Sequence, residues 1–503
     1  MAQINEIQID NFDGGIVNDP RDSRENVCRI VNNFQIGNNP NKLTPYRSAE
    51  DGDSASTTKK IQNFAVAYTG SVFKLFGLGV VSGTGRAEIH SKSLSTGGSS
   101  DLSDNGWASP SNQQSASGAT SFKLFTYYQK TGLIYGAKSG TTIWAFDPTG
   151  VAAFADSHRS LTYTDIAEGL VHSKDDILYI PYDNKIAKND NGSWTDVAIT
   201  IPTHYKINVI AEFGNYLAIG AVPKSGVGES VVYLWDRDAS LATLSESIRW
   251  GGGELRVLGE VEGSLIGISL QGGNSDSWLD ERIVFRQNGK KFMVLESENL
   301  SSLPNVQRII DNKLHFMMAV KIDGVWRHGV WSIGKTLLNS PFALSWERSL
   351  EGNTEFNGAI AVLNNFFYAN DFLFQSFVDD SSNYQMSKTN DQNTYSDISA
   401  FETIKLIPDK QFATQQLLGV SVTTEYLPSG AQVVVKYKKD NDTSWSTILT
   451  GSTDGDIRHS SSSDSSGSVL PQFKEIAFRI ESTGNAVITG IKIKSQNIED
   501  LDF

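Results

Sequence analysis

The chain has 503 residues, with 43 Lys and Arg against 57 Asp and Glu, and a formal net charge of −14. That balance argues against a protein that grips nucleic acid through a basic surface, though not against one that surrounds DNA without holding it. A single cysteine excludes an internal disulfide. No apolar run approaches the ~18 residues of a membrane helix, and the N-terminus lacks the regions of a secretory signal. These features read as a soluble protein with no membrane span, made in a reducing cytoplasm or released by some route other than a signal peptide.

The chain opens on a short alternating run, Ile4 to Asp10, broken by "NFDGGIVNDP" at Asn11–Pro20. Gly14 and Gly15 take positive φ without steric cost and Pro20 removes a backbone donor, so the stretch is built to bend. Phe12, Ile16 and Val17 set apolar side chains into that bend. Residues 1–48 are thus expected to form an N-terminal arm with the first strands. Cys28, in "RENVCRIV", reads as a small packed hydrophobe.

Residues 49–378 carry a recurring unit: a short apolar run, a polar turn, then a second apolar run. It is clear in "FKLFTYYQKTGLIYGAKSGTTIWAFD" (Phe122–Asp147), "NVIAEFGNYLAIGAV" (Asn208–Val222) and "RVLGEVEGSLIGISL" (Arg256–Leu270). Turn centres at Gly70, Gly132, Asp175, Gly214, Gly263, Asp311 and Asn364 recur at a mean interval of about 49 residues, near the length of a propeller blade. Aromatics close several units: Trp144, Trp235, Phe285 and Trp331. A lone hairpin cannot bury both faces, so such units must stack, and radial stacking leaves few open edges. With 44 Gly, 25 Phe and 16 Tyr but only 5 Met, the composition is all-β. The expected fold is a β-propeller of about seven blades, six and eight being the neighbouring counts. An insert, Ser91–Gly118, holds Trp107. Residues 379–400 read as a polar linker. Alternation resumes over 401–503, with hairpin chemistry in "LPSG" (Leu427–Gly430), and matches a C-terminal β-sandwich.

Catalytic motifs are not found. The seven histidines show neither HExxH nor HxH spacing, and there is no GxSxG elbow or GxxxxGK[ST] phosphate loop. His315 reads as a packed strand residue. Asn189–Asp196 and Ser452–His459 resemble calcium loops but lack the oxygen set calcium needs, and read as hairpin turns. "SDNGW" (Ser103–Trp107) and "DGVW" (Asp323–Trp326) carry fragments of the sialidase box without its spacing. No catalytic, cofactor or metal residue is therefore assigned, and a non-enzymatic protein is expected.

Asn11–Ser48 resembles the N-terminal stretch of virion-associated tail proteins of tailed bacteriophages, through Phe12, Gly14, Gly15, Asn18, Asn33, Phe34, Ile36, Leu43 and Arg47. The C-terminal part, from "QLLGVSVTTEYLPSGAQVVVKYKKDNDTSWSTI" to "FRIESTGNAVITGIKIKS", is similar to the sandwich that closes the same proteins. Along most of its length the chain resembles the β-propeller tail nozzle, or tail hub, proteins of short-tailed phages. The resemblance implies a structural virion protein assembled in the host cytoplasm into a homo-oligomeric ring, typically a hexamer. Such a ring docks beneath the portal–adaptor assembly, meets tail needle, fibre or tailspike proteins, and lets genomic DNA pass through its lumen without sequence-specific binding. Acidic walls would repel phosphate and release the genome. In that setting Phe12, Gly14, Gly15, Ile16 and Val17 are expected at a subunit or adaptor interface, or else as the outer strand of the last blade. The rival expectations are a carbohydrate- or receptor-binding propeller at the tail tip, with exposed aromatics such as Trp107, and a glycosidase-type propeller.

Overall fold

The computed structural model describes residues 4–12, 14–17, 27–35, 39, 41–52, 61–81, 84–96, 101–103, 106–108, 115, 120–138, 141–151, 154–162, 165–238, 240, 243–272, 282–297, 302–322, 325–335, 342–350, 360–379, 384–389, 395, 398–407, 413–460 and 470–498. All forty elements among them are β-strands. The chain divides into two units: Met1–Ser48, Val330–Asn353 and Asp391–Phe503 form one, and Ala49–Gly329 with Thr354–Asn390 form the other.

The second of these is a propeller. Its first blade pairs Ile61–Tyr68, Phe73–Val80 and Ala87–Ser93, and the insert adds bridges from Ala108 to Ser91 and from Asp101 to Ser93. Four complete four-stranded meanders follow. They begin with Thr120–Tyr128, Leu170–His172, Tyr205–Phe213 and Glu254–Val261, each of which pairs only with the next strand of its own blade. The sixth blade opens on Gln307–Ile310 and Lys313–Ile322, and the line between the units falls inside its next strand, Val325–Gly334. The seventh is Ile360–Ala369, Phe372–Asp379 and Tyr384–Thr389, completed by Ala49–Asp51 from the start of the unit. Seven blades therefore stand among the described residues.

Left-handed turn residues make the inner hairpins tight. Glu262 and Gly263 have φ of 48° and 71°, and Asp311 and Asn312 have 49° and 58°, the backbone a two-residue type I′ hairpin needs. Apolar side chains on alternate strand positions then face the next blade. One core joins blades two and three through Tyr135, Ile143, Leu178 and Ile180. Another joins blades four and five through Val209, Ala218, Trp250 and Leu258. Phe64 and Leu75 of the first blade pack with Phe372 and Phe374 of the last, which closes the ring. Trp144 is 1% exposed and lies over Gly136, where an added Cβ would stand 1.8 Å from the indole.

Closure of the seventh blade differs from the sequence expectation. The outer strand is Ala49–Asp51, not the Gly14–Gly15 arm, with Lys388 opposite Glu50 in the register. Tyr384–Thr389, inside the expected linker, is the third strand of that blade. Lys388 is fully buried. Its Nζ lies 2.5 Å from Glu50 Oε1 and donates to Ser103 O at 2.6 Å, and it sits 5.7 Å from the Phe372 ring centre. Lys92, also fully buried, donates to Asp101 O and Gly106 O and lies 5.1 Å from the Trp107 ring centre. Two buried ammonium groups thus hold carbonyls of the insert through charge-assisted hydrogen bonds.

The other unit contains two large sheets and the short pair Phe34–Gln35 with Thr44–Pro45. One is ordered Ile4–Ile9, Val487–Asn497, Gln415–Tyr426 and Asp456–Ser460, with Gln472–Phe473 beside the third strand. The second is ordered Ala343–Ser349, Val27–Asn32, Ser399–Thr403, Ile476–Thr483, Gln432–Lys439 and Ser446–Gly451. Leu417, Val420, Val422, Ile491 and Ile493 are buried on the first, and Val433, Val435, Phe478 and Ile480 on the second. This is the alternation of a two-sheet sandwich. It is not confined to residues 401–503: the chain's opening strands and Ala343–Ser349 are part of it.

Candidate functional site

The arm residues lie inside the unit that is not the propeller, the one formed by Met1–Ser48, Val330–Asn353 and Asp391–Phe503. Gly15–Ile16 runs parallel to Val27–Cys28, and Val17 N donates to Cys28 O at 2.9 Å. Phe12 is 1% exposed and meets Phe401 edge-on, with ring centres 5.2 Å apart. Ile16, Val17 and Gly14 are likewise buried. Gly15 has φ +71°, and a Cβ there would stand 2.7 Å from Ala343 Cβ. The bend read from the glycines is present, and its apolar side chains are covered by this chain's own strands. Cys28 donates to Gly15 O and is 1% exposed. Burial, with Glu402 adding to it, pushes its thiol well above the usual range.

In the propeller, a cavity of about 650 Å³ opens among the first strands of blades three to six. These are the innermost strands, because each has one edge unpaired and in contact with its counterparts. Arg308 of blade six and Glu168, just before blade three, meet here with Nη1–Oε1 at 3.1 Å. Their side chains are 21% and 27% exposed. Burial raises the Glu168 carboxyl above its ordinary value, and the Arg308 guanidinium opposes the rise. Asn305 donates to Asn208 O at 3.1 Å and Gln307 donates to Ile210 O at 3.0 Å, so blade six also reaches blade four. The centre of the propeller is crossed by side chains of its own.

Glutamates on inner strands also fasten neighbouring blades. Glu212 of blade four accepts from Ser173 N at 2.8 Å and Ser173 Oγ at 2.6 Å, in the turn of blade three. Glu260 of blade five accepts from Gly214 N at 2.6 Å, in the turn of blade four. Both stand just before their own hairpin turns, in "AEFG" and "GEVEG". That repeated acidic position was the available sequence signal for the cavity. Beside them, Arg237 Nε donates to Asp175 Oδ2 at 2.7 Å and Tyr179 Oη donates to the same oxygen at 2.8 Å, while His172 Nε2 stands 3.1 Å from Arg237 Nη1. This network joins blades three and four.

Trp107 gives its indole N–H to Gly52 O at 3.1 Å and packs against Phe64 and Phe374. It is half-buried against the core of the first and last blades and does not stand on an exposed aromatic rim. His315 is 6% exposed and meets Tyr368 edge-on. No group of three or more His, Cys, Asp or Glu able to hold a metal stands among the described residues.

Fold and site define a seven-bladed propeller whose chain ends combine in a separate two-sheet unit. No family model matches the chain, and no curated protein does. Among solved structures it is similar to one titled "Structure of Dos1 propeller", at 12% identity and TM-score 0.40, over 68% of this chain and 95% of that one. It is also similar to one titled "Glycoside hydrolase", at 11% identity and TM-score 0.27, over 88% of this chain and all of that one. The propeller assignment rests on the sheets themselves.

Proposed function

We propose that the chain is a non-enzymatic structural component of a bacteriophage tail, one subunit of an oligomeric nozzle or hub ring that extends the DNA-ejection channel below the portal–adaptor complex. One observation carries this reading. The two stretches that bear the resemblance, Asn11–Ser48 and the segment after Gln415, belong to one structural unit although the propeller lies between them in sequence. Ile4–Ile9 pairs along Val487–Asn497 from Ile4↔Gln496 to Ile9↔Ile491, and Val27–Asn32 pairs with Ser399–Thr403. In a ring, the Gly14–Gly15 bend, with the buried side chains of Phe12, Ile16 and Val17, would stiffen the surface that meets a neighbour. The DNA conduit in this reading is the lumen enclosed by several copies. The propeller's own centre is crossed by Arg308–Glu168 and by two amide side chains.

The test is where the protein resides. Antibody–gold labelling of purified virions is expected to mark the tail beneath the portal, and the adaptor is expected to co-purify with the tagged chain. A protein absent from virions, or one that turns over a polysaccharide, would overturn the reading.

A further inference from the structure

We infer that a second copy of this chain pairs edge to edge with the two-sheet unit, Ile4–Ile9 of one copy lying against Asp456–Ser460 of the next. These two strands end the same sheet. Among the described residues, Ile4–Ile9 pairs only with Val487–Asn497, and Asp456–Ser460 only with Gln415–Tyr426. Each therefore presents an unpaired row of backbone N–H and C=O groups, the template on which another strand adds. Neither holds the proline or the bulge that would blunt such an edge. The outer strand of the other sheet, Ser446–Gly451, does have a register shift, between Val435 and Lys436. Beside Ile4–Ile9 the sandwich is also open. A groove of about 330 Å³ lies between this strand and the bridge Leu406↔Ile476, lined in part by Ile4, Ile7, Ile407 and Phe473. Ile4 is 58% exposed there and Ile407 40%.

The sheet's opposite edge is the occupant that fits. Three successive antiparallel pairings separate Ile4–Ile9 from Asp456–Ser460, so the two edges run in opposite directions. Copies related by rotation can then join antiparallel without inversion, which is the heterologous contact of a closed ring. One register matches the side chains. With Ile7 opposite the partner's Ile457, Glu6 stands opposite the partner's Arg458, Asn5 opposite the partner's His459 and Gln8 opposite the partner's Asp456. Within each copy, Ile7 and Ile457 share the inner face, beside the buried Ile493 and Val422. Glu6 and Arg458 share the outer face, with side chains 43% and 69% exposed. Apolar therefore meets apolar and unlike charges meet. Glu6 already lies 3.1 Å from Lys494 of its own chain, so in the joined sheet it would stand between two cations. Sliding the register by two residues would set either Glu6 or Asp10 against the partner's Asp456. The ladder ends at Asp456, where Gly455, with φ +98°, turns the chain away. This inference rests on the ring reading for its closure, and gives that ring its contact.

Paired substitutions in the full chain test the contact, with the buried Cys28 left in place. Gln8→Cys and Asp456→Cys, purified separately, mixed and oxidised, are expected to give a covalent dimer that neither gives alone. The double variant is expected to give a ladder of multimers on a non-reducing gel. Glu6→Arg and Arg458→Glu are each expected to weaken assembly at least about tenfold, read as the concentration of half-assembly in sedimentation, and together to restore it. Unchanged far-ultraviolet circular dichroism confirms the fold of each variant. Assembly without the mixed crosslink, or of equal strength in the single charge variants, would overturn the contact and leave the ring to another surface. Assembly that stops at two copies, crosslinked through Ile7→Cys alone, would show two-fold pairing of Ile4–Ile9 and overturn it as well. A chain that stays monomeric would overturn both contact and ring. A crosslinked oligomer that is absent from virions would keep the contact and overturn the phage reading.

Discussion

Replacing Lys388 by Ala probes the closure of the propeller at one atom. Its Nζ is the shared partner of the seventh blade's outer strand, through Glu50, and of the insert, through Ser103 O. Breaking a buried ion pair costs about 3–5 kcal/mol. Glu50 retains 18% exposure, so water partly compensates its charge, and the low end, about 3 kcal/mol, is expected. For a unit of roughly 300 residues, an unfolding entropy of ~2.1 cal/mol/K per residue converts this into a fall of ~5 °C in melting temperature. Calorimetry reads that shift for the propeller transition. Lys388→Met keeps most of the side-chain volume and separates lost charge from lost packing. A cycle with Glu50→Gln is expected to show coupling above about 1 kcal/mol. A shift under ~1 °C, or additive effects of Lys388→Met and Glu50→Gln, would refute the view that this pair latches the ring.

Gly15→Ala combines a left-handed backbone with a Cβ placed 2.7 Å from Ala343 Cβ, and is expected to cost about 2–4 kcal/mol in urea denaturation of the two-sheet unit. Cys28, buried and with its thiol raised above the usual range, is expected to resist Ellman's reagent at pH 8 in the native protein and to react fully in guanidinium. Glu481 carries a pH dependence. Burial alone would raise its carboxyl, but hydrogen bonds from Lys436 and Arg479 outweigh that and hold it below its ordinary value of 4.5. Its contribution is therefore complete above that value and is lost as pH falls through the lower folded value. Glu481→Gln is expected to flatten the acid limb of the stability–pH curve below about 4.5, as followed by tryptophan fluorescence.

Turn chemistry made most of the propeller legible. Gly70, Gly132, Asp175, Gly214, Gly263 and Asp311 each sit in the inner hairpin turn of a blade, because the residues that tolerate left-handed backbone mark those turns directly. Asn364 does not: it lies within Ile360–Ala369, and the turn is at Asn370 and Asp371. A register shift between Leu363 and Asn365 sets the latter's buried amide against Asn63, so a polar pair that resembles a turn belongs to a bulged strand. Tyr384–Thr389 escaped notice for a related reason. Its burial is secured by Lys388 and by ladder bonds, not by apolar alternation, so hydrophobic periodicity could not reveal it. Ala49–Asp51 is too short and polar to announce itself, and its partner lies over 330 residues away. The run from Ile4 to Ile9 does read as a strand, but local alternation cannot say that its neighbour is Val487–Asn497. The cavity was hidden because Glu168 and Arg308, 140 residues apart, become neighbours only when the ring closes.

Native mass spectrometry of the purified full chain, with negative-stain imaging of the same sample, tests the ring assignment most directly. The account predicts a closed homo-oligomer, six copies by resemblance to phage nozzles, with a central lumen formed between subunits. A protein that stays monomeric at every concentration, alone and with the portal–adaptor complex, would contradict it.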